Sequence, residues 1–175
     1  MNMKTLVPIF FCILSFIHCK RELSNTSYSE SIKVQEVDDT SLVHTDVHPG
    51  DWLSYGLNYA EDRYSALDQI KKTNIDSLGL LWSLDLGTKR GLEATPLVVD
   101  GIMYFTGDWS RVYAVDARTG TMLWQYDPLV PRAYGEKACC DVVNRGVALY
   151  KGHVYAGTFD GRLISLNAVN GQLDW

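Results

Sequence analysis

The sequence carries no excess of positive charge: 16 Lys and Arg stand against 21 Asp and Glu, for a formal net charge of −5. It has no basic run either. That excludes a surface built to bind phosphate backbones, which needs clustered Lys and Arg. Histidine is sparse, and His18, His44, His48 and His153 show none of the spacings that metal-binding histidines adopt. Gly87, Gly91 and Gly107 lack dinucleotide-loop spacing, and "GTFDG" at Gly157–Gly161 precedes no helix that could face a phosphate. A nicotinamide enzyme is therefore not expected. The longest run of apolar or small residues, Leu6 to Ile17, is twelve residues long, against the roughly 20 needed to span a bilayer as a helix. Cysteine is scarce, at 4 in 175 residues.

With 46% apolar and 11% aromatic residues, the composition is that of an ordinary globular protein. Lys4 followed by the apolar run reads as an export leader, residues 1–19. The close of that leader, Ser15 to Cys19, is similar to the lipobox of bacterial lipoproteins, although His18 stands where that pattern has a small residue. Lipid anchoring through Cys19 and simple cleavage both remain open. The expected location is the periplasm, with or without that anchor. Residues 20–48 are polar and without sustained periodicity, and read as a linker or arm with no fold assigned. "NTS" at Asn25 matters only in a eukaryotic secretory pathway.

From Pro49 the texture changes to aromatic and β-branched residues punctuated by glycine, which favours strands. Thr95–Trp124 lies over Gly146–Trp175 without a gap at an offset of 51 residues. Gly101 then falls on Gly152, Tyr104 on Tyr155, Arg111 on Arg162, Ala117 on Ala168, Gly120 on Gly171 and Trp124 on Trp175. The first copy reads as strands at Leu97–Val99, Ile102–Thr106, Arg111–Asp116 and Thr121–Trp124. In the second copy Lys151-Gly152, Asp160-Gly161 and Asn170-Gly171 mark the turns. A four-stranded unit recurring at this period predicts an all-β fold made of β-propeller blades, since one such sheet cannot bury both faces alone. Trp82 is expected to close an earlier strand, and each terminal Trp to lodge between neighbouring blades. Propellers close with about four to eight blades. Residues 49–175 supply about two, so the chain is expected to be the leading part of a longer propeller.

Cys139 and Cys140 are adjacent. Joined to each other they would form a strained ring that closes almost no loop and so adds little stability. Its use would be a flat, polarizable surface for an aromatic ring system. Left as free thiols they would act as small apolar residues, and both readings stand. Nearby, Arg145 offers a planar fork of donors suited to a carboxylate. Glu93 precedes a strongly apolar strand. Either charge could equally be ordinary surface.

The stretches "ACCDVVNRGVA", "RGLEATPLVVDGIMYF", "VYAVDARTGTMLWQYDP" and "DWLSYGLNYAEDRYSALDQI" resemble the N-terminal part of the pyrroloquinoline-quinone (PQQ) alcohol dehydrogenases. That family includes methanol dehydrogenase and the quinohaemoprotein alcohol dehydrogenases. The resemblance runs from Gly50 to Trp175. It implies an eight-bladed propeller with PQQ on its axis. Cys139 and Cys140 are then implied to form a vicinal disulfide stacked on the quinone, Arg145 to pair with a PQQ carboxylate or the quinone oxygens, and Glu93 to hydrogen-bond the cofactor. It further implies oxidation of an alcohol by hydride transfer to the quinone, with Ca²⁺ as Lewis acid and a cytochrome c or a fused haem domain as electron acceptor. The catalytic Asp and the Ca²⁺ ligands are expected in later blades, so neither role is assigned within this sequence. The chain by itself is expected to be inactive. The competing reading is a cofactor-free propeller scaffold, a lipoprotein of outer-membrane assembly; Cys139, Cys140, Arg145 and Glu93 together argue against it. A decayed gene product would share the same ancestry.

Overall fold

The repeat is built on two turn chemistries. In a computed structural model, which describes residue 34 and residues 36–175, Asp100 and Gly101 take φ of 51° and 74°, and Lys151 and Gly152 take 46° and 77°. Two consecutive left-handed residues make the tight hairpin whose twist matches that of paired strands. The second chemistry is an Asp or Asn loop. Asp116 Oδ1 accepts from the amides of Arg118 and Thr119 at 2.9 and 3.1 Å. Asn167 Oδ1 accepts from Val169 and Asn170 at 2.9 and 3.2 Å. Each loop ends on a glycine at positive φ, Gly120 or Gly171.

These turns connect β1 (Leu97–Val99), β2 (Ile102–Thr106), β3 (Val112–Asp116) and β4 (Met122–Tyr126) into one antiparallel sheet in chain order. The second sheet holds β5 (Ala148–Tyr150), β6 (His153–Gly157) and β7 (Leu163–Asn167). Residues 172–175 run beside β7, with Asn167 donating to Gln172 O at 2.8 Å and Ser165 to Trp175 O at 3.0 Å. The first expected sheet therefore forms, with β3 beginning one residue later than expected and β4 reaching two residues further, whereas the fourth strand expected in the second copy is reduced to an isolated bridge between Leu166 and Leu173. At the outer edge of the first sheet, Trp52 and Val98 exchange backbone hydrogen bonds at 2.8 and 2.9 Å.

Period-2 alternation sends alternate side chains to opposite faces. Leu97, Val99, Tyr104, Val112, Ala114 and Trp124 pack against Leu149, Val154, Ala156, Ile164, Leu166 and Ala168 of the second sheet. On the far face Phe105, Tyr113 and Val115 meet Trp82, Leu84 and Leu86. The strand expected to end at Trp82 does not form: residues 81–86 alternate in burial like a strand but have no ladder partner among the described residues. A strand requires a neighbour to take its amides. The sealing role is nevertheless realised by Trp82 and Trp124, whereas Trp175 stands 60% exposed. Trp82 Nε1 donates to Ala117 O at 3.1 Å, and Trp124 Nε1 to Ala168 O at 3.0 Å. Each indole lies so close to the glycine of the facing loop that a Cβ on Gly120 or Gly171 would sit 2.6 Å from ring carbons.

Of residues 20–48, some of those described dock on the sheets through Val34, Val37 and Leu42. A capping box between Asp38 and Ser41 starts α1 (Asp39–Val43). Val37 is buried in the core, and its carbonyl accepts from Lys151 N at 2.7 Å. The sequence reading assigned no structure there, because a single buried Val gives no periodicity. The leader, Cys12, Cys19, His18 and Asn25 lie outside the described residues. Among the described residues no helix is long and apolar enough to cross a membrane.

Candidate functional site

The cysteine pair rides on the connection between the two sheets. That connection is pinned to Trp109, whose backbone N–H donates to Val142 O at 2.9 Å and which clusters with buried Val130 and Val142, Tyr134 and Phe159 packing against the cluster. The Arg132 guanidinium lies 4.1 Å from the centre of the Trp109 ring, a cation–π contact. A 3-10 turn, Arg132–Lys137, brings Gly135 so close that a Cβ there would meet the indole at 2.9 Å. Beyond it, Cys139 and Cys140 stand exposed, and Asp141 forms an ion pair with Arg90.

The two sulfurs are 2.6 Å apart and both cysteines are free thiols. They are exposed, so the reading in which they fill the core as small apolar residues does not hold. Contact with the Cys139 thiol, and then its charge, pushes the Cys140 thiol above its ordinary range; Glu93 adds to that push and Arg145 opposes it. With both side chains exposed, the pair offers a sulfur surface at the rim.

Arg145 and Glu93 meet at this rim. Arg145 Nη2 lies 3.1 Å from Glu93 Oε2, with the arginine side chain 74% exposed. The pairing follows from the backbone: Thr95 N donates to Arg145 O at 3.3 Å, holding the strap before β1 against the strap before β5. Gly146 follows at φ 132°, and a Cβ there would come within 3.1 Å of Thr95 O. The Arg145–Glu93 pair acts electrostatically on Cys140, so the four residues singled out from sequence share one rim. Sequence reasoning missed Asn144, whose amide joins Thr106 and Ser110 of the first sheet to Gly157 of the second. Its signal was present in the "NRG" stretch, next to the arginine.

Two clefts lie away from this rim, one lined by Asp46, Asp51, Trp52, Asn58, Asp62 and Tyr64 and another by Arg111, Tyr113, Gln125 and Asp127. No group of three or more His, Cys, Asp or Glu side chains able to hold a metal occurs among the described residues. An exposed guanidinium beside an exposed sulfur pair suits a flat ligand that carries carboxylates.

Residues 52–174 match the PQQ family model, described as the glucose/ethanol/alcohol dehydrogenase β-propeller domain. The chain belongs to this family. It is 57% identical over 135 residues to the dehydrogenase subunit of the quinone alcohol dehydrogenase of Komagataeibacter europaeus, covering 77% of this chain and 18% of that protein. It is 54% identical over 126 residues to the 1-butanol dehydrogenase (cytochrome c) of Thauera butanivorans, covering 72% of this chain and 18% of that one. The solved structure of the quinohemoprotein alcohol dehydrogenase ADHIIG of Pseudomonas putida HK5 superposes with a TM-score of 0.79 at 51% identity, over 81% of this chain and 21% of that one. The chain spans about a fifth of the length of these relatives. The two sheets are accordingly two blades of a PQQ-type propeller.

Proposed function

We propose that Glu93, Cys139, Cys140 and Arg145 form one wall of the PQQ site of an exported alcohol dehydrogenase. The observation that carries this reading is their convergence: a guanidinium–carboxylate pair 3.1 Å apart beside two exposed, touching sulfurs, on the rim where two blades meet. When bound, the quinone supplies a two-electron acceptor for a hydride leaving an alcohol carbon, the product being an aldehyde or ketone. The name of the Thauera relative supports a cytochrome c as the onward acceptor.

The wall's own work is binding and orientation. Arg145 engages Glu93 through Nη2, and its remaining N–H groups face solvent in a planar fork suited to a carboxylate. Glu93 holds that fork in place and accepts a hydrogen bond from any donor at the ligand's edge. The cysteines lie against the ligand's face. In the exported protein we read them as joined: two S–H bonds are replaced by one S–S bond, and two protons and two electrons pass to the thiol–disulfide oxidants of that compartment. Ca²⁺ is implied by the family resemblance, and we assign it no ligand among the described residues.

One wall touches one side of a planar ligand. The purified chain is therefore expected to hold PQQ weakly and, with PQQ and Ca²⁺ supplied, to reduce no dye in the presence of alcohol. The decisive experiment grafts residues 50–175 into the Pseudomonas ADHIIG in place of the matching segment. The chimera is expected to oxidise primary alcohols in a PQQ-dependent way. Arg145→Ala in the chimera should weaken PQQ by about tenfold or more, the scale of a lost hydrogen bond between charged groups. A folded chimera with no PQQ-dependent alcohol oxidation would sink the proposal.

A further inference from the structure

The side-chain amide of Asn144 uses all of its hydrogen-bonding capacity. Its Oδ1 accepts from Thr106 Oγ1 at 3.0 Å and from Gly146 N at 3.1 Å. Its Nδ2 donates to Ser110 Oγ at 3.0 Å and to Gly157 O at 2.8 Å. Gly146 N–H can only donate and Gly157 C=O can only accept, so these two partners alone fix which end of the amide is oxygen.

The partners come from three places. Thr106 ends β2, and Ser110 lies in the turn between β2 and β3; both are fully buried. Gly157 ends β6 of the other sheet. Gly146 belongs to Asn144's own strap, on the far side of Arg145. Ser110 is held at φ 59°, next to Trp109 at 55°, a left-handed pair that non-glycine residues rarely adopt. Its hydroxyl also accepts from Phe159 N at 2.9 Å. One amide thus ties a strained turn of the first blade to the second blade across the strap that presents Arg145.

We propose that Asn144 is the positioning residue of the Arg145 grip, fixing where the guanidinium stands relative to Glu93 and the cysteines; the cofactor half of this inference rests on reading the rim as a PQQ wall. Arg145 is held along the chain on both sides, while its exposed side chain reaches Glu93 and keeps donors for a ligand. Asn144 before it is fixed by its amide, Gly146 N after it binds that amide, and its own carbonyl accepts from Thr95. Aspartate has the same size but no donor, so it would set a carboxylate oxygen against Gly157 O. Glutamine carries an extra methylene that the four fixed partners leave no room for. Asparagine alone satisfies the set.

The test uses two variants, Asn144→Ala and Thr106→Val, and two readouts. Amide hydrogen exchange at Gly146, whose N–H loses its acceptor, and at Phe159 should accelerate by at least tenfold in the Asn144→Ala variant of the full chain, while the β2–β3 ladder stays protected. In the ADHIIG chimera, which supplies the rest of the cofactor cradle, a titration with PQQ read by tryptophan quenching should show Asn144→Ala weakening binding by about as much as Arg145→Ala, and weakening it no further when Arg145 is already Ala. Thr106→Val, which removes one of the four bonds with little change of shape, should move both readouts the same way by less; it serves if the alanine variant does not fold. Unchanged exchange at Gly146 and Phe159 overturns the proposal, and so does an equal loss of PQQ affinity with and without Arg145. Faster exchange in the chain beside a folded chimera that binds no PQQ would leave the bridge standing and remove the wall. PQQ binding by the chimera that needs Arg145 but ignores Asn144 would do the reverse.

Discussion

The two sheets are copies in sequence but not in burial. All five residues of β3 in the first sheet are buried, because Leu149, Val154 and Ile164 cover one face and Trp82, Leu84 and Leu86 the other. The matching β7 is exposed at Leu163, and Tyr155, Leu163, Leu173 and Trp175 of the second sheet are wholly or partly open. Tyr104 and Trp124 stand 5.9 Å apart at 48°, and Tyr155 and Trp175 stand 6.2 Å apart at 47°. The side-chain geometry of a blade is therefore set within the blade. Its stability is set by what stacks on it, and the two copies separate those contributions.

The largest effect expected from this contrast is at the tryptophans. Trp124 is buried, donates to Ala168 O and fills the joint between the sheets. Trp82 makes the same bond to Ala117 O from a half-buried position. Trp124→Ala should cost about 3–5 kcal/mol, the range for a large core side chain, and Trp82→Ala about half of that. Urea unfolding of the two variants checks the order; equal midpoints would mean that burial at the joint does not decide the seal.

A smaller effect isolates one hydroxyl. Tyr104 is fully buried, and its OH donates to Ala168 O at 3.0 Å, the carbonyl that Trp124 also binds. Burial pushes that phenol far above its ordinary range, so it remains a donor throughout any physiological titration. Tyr104→Phe should cost about 1 kcal/mol, since the carbonyl keeps its second donor and is not orphaned. Tyr155→Phe, at the matching position, should be near neutral. A loss at Tyr155 comparable to that at Tyr104 would place the tyrosine's value inside the blade rather than between blades.

What could be read from sequence follows from the same division. The Asp-Gly and Lys-Gly hairpins, and the Asp116 and Asn167 loops with their glycines, are local chemistry, so the 51-residue offset gave nearly all of the strands. The conjunction of Cys139, Cys140, Arg145 and Glu93 was legible through family resemblance, because nothing in spacing says that residues about fifty apart share a rim. The strand at Trp82 was over-read because alternation reports two faces and not a hydrogen-bonding neighbour. Asn144 was passed over for a related reason. Its partners Thr106, Ser110 and Gly157 lie at no common period, and a saturated amide leaves no hydrophobic signature. Val37 docks through one side chain and one carbonyl, too little to mark a segment otherwise made of Ser, Thr, Asp and Glu.

The smallest effect expected is electrostatic, at the pair of arginines that the repeat superposes. Arg111 stays with its own sheet, reaching Asp108 at 3.2 Å and Asp127 at 3.1 Å. Arg162 bonds Asp160 at 2.8 Å and also donates to Pro128 O at 2.7 Å, crossing from the second sheet to the exit of the first. Hydrogen bonds from Arg162, and then from Thr158, hold the Asp160 carboxyl below its ordinary range. A carboxylate depressed in the folded state binds its proton more readily when unfolded. Its stabilisation is thus complete above the unfolded value of about 3.9 and is lost as pH falls through the folded one. Asp38 and Asp141 are depressed in the same sense, chiefly by the amides of Ser41 and Val142, and act in the same acid window. Asp160→Asn should therefore flatten the fall in stability below about pH 4 without abolishing it, leaving the unfolding midpoint near pH 7 slightly lower than in the parent chain. Urea midpoints taken at intervals of pH would show this as a shallower acid limb. An acid limb identical to the parent's would mean that the Arg162 bridge is screened by solvent and adds nothing to the joint between the sheets.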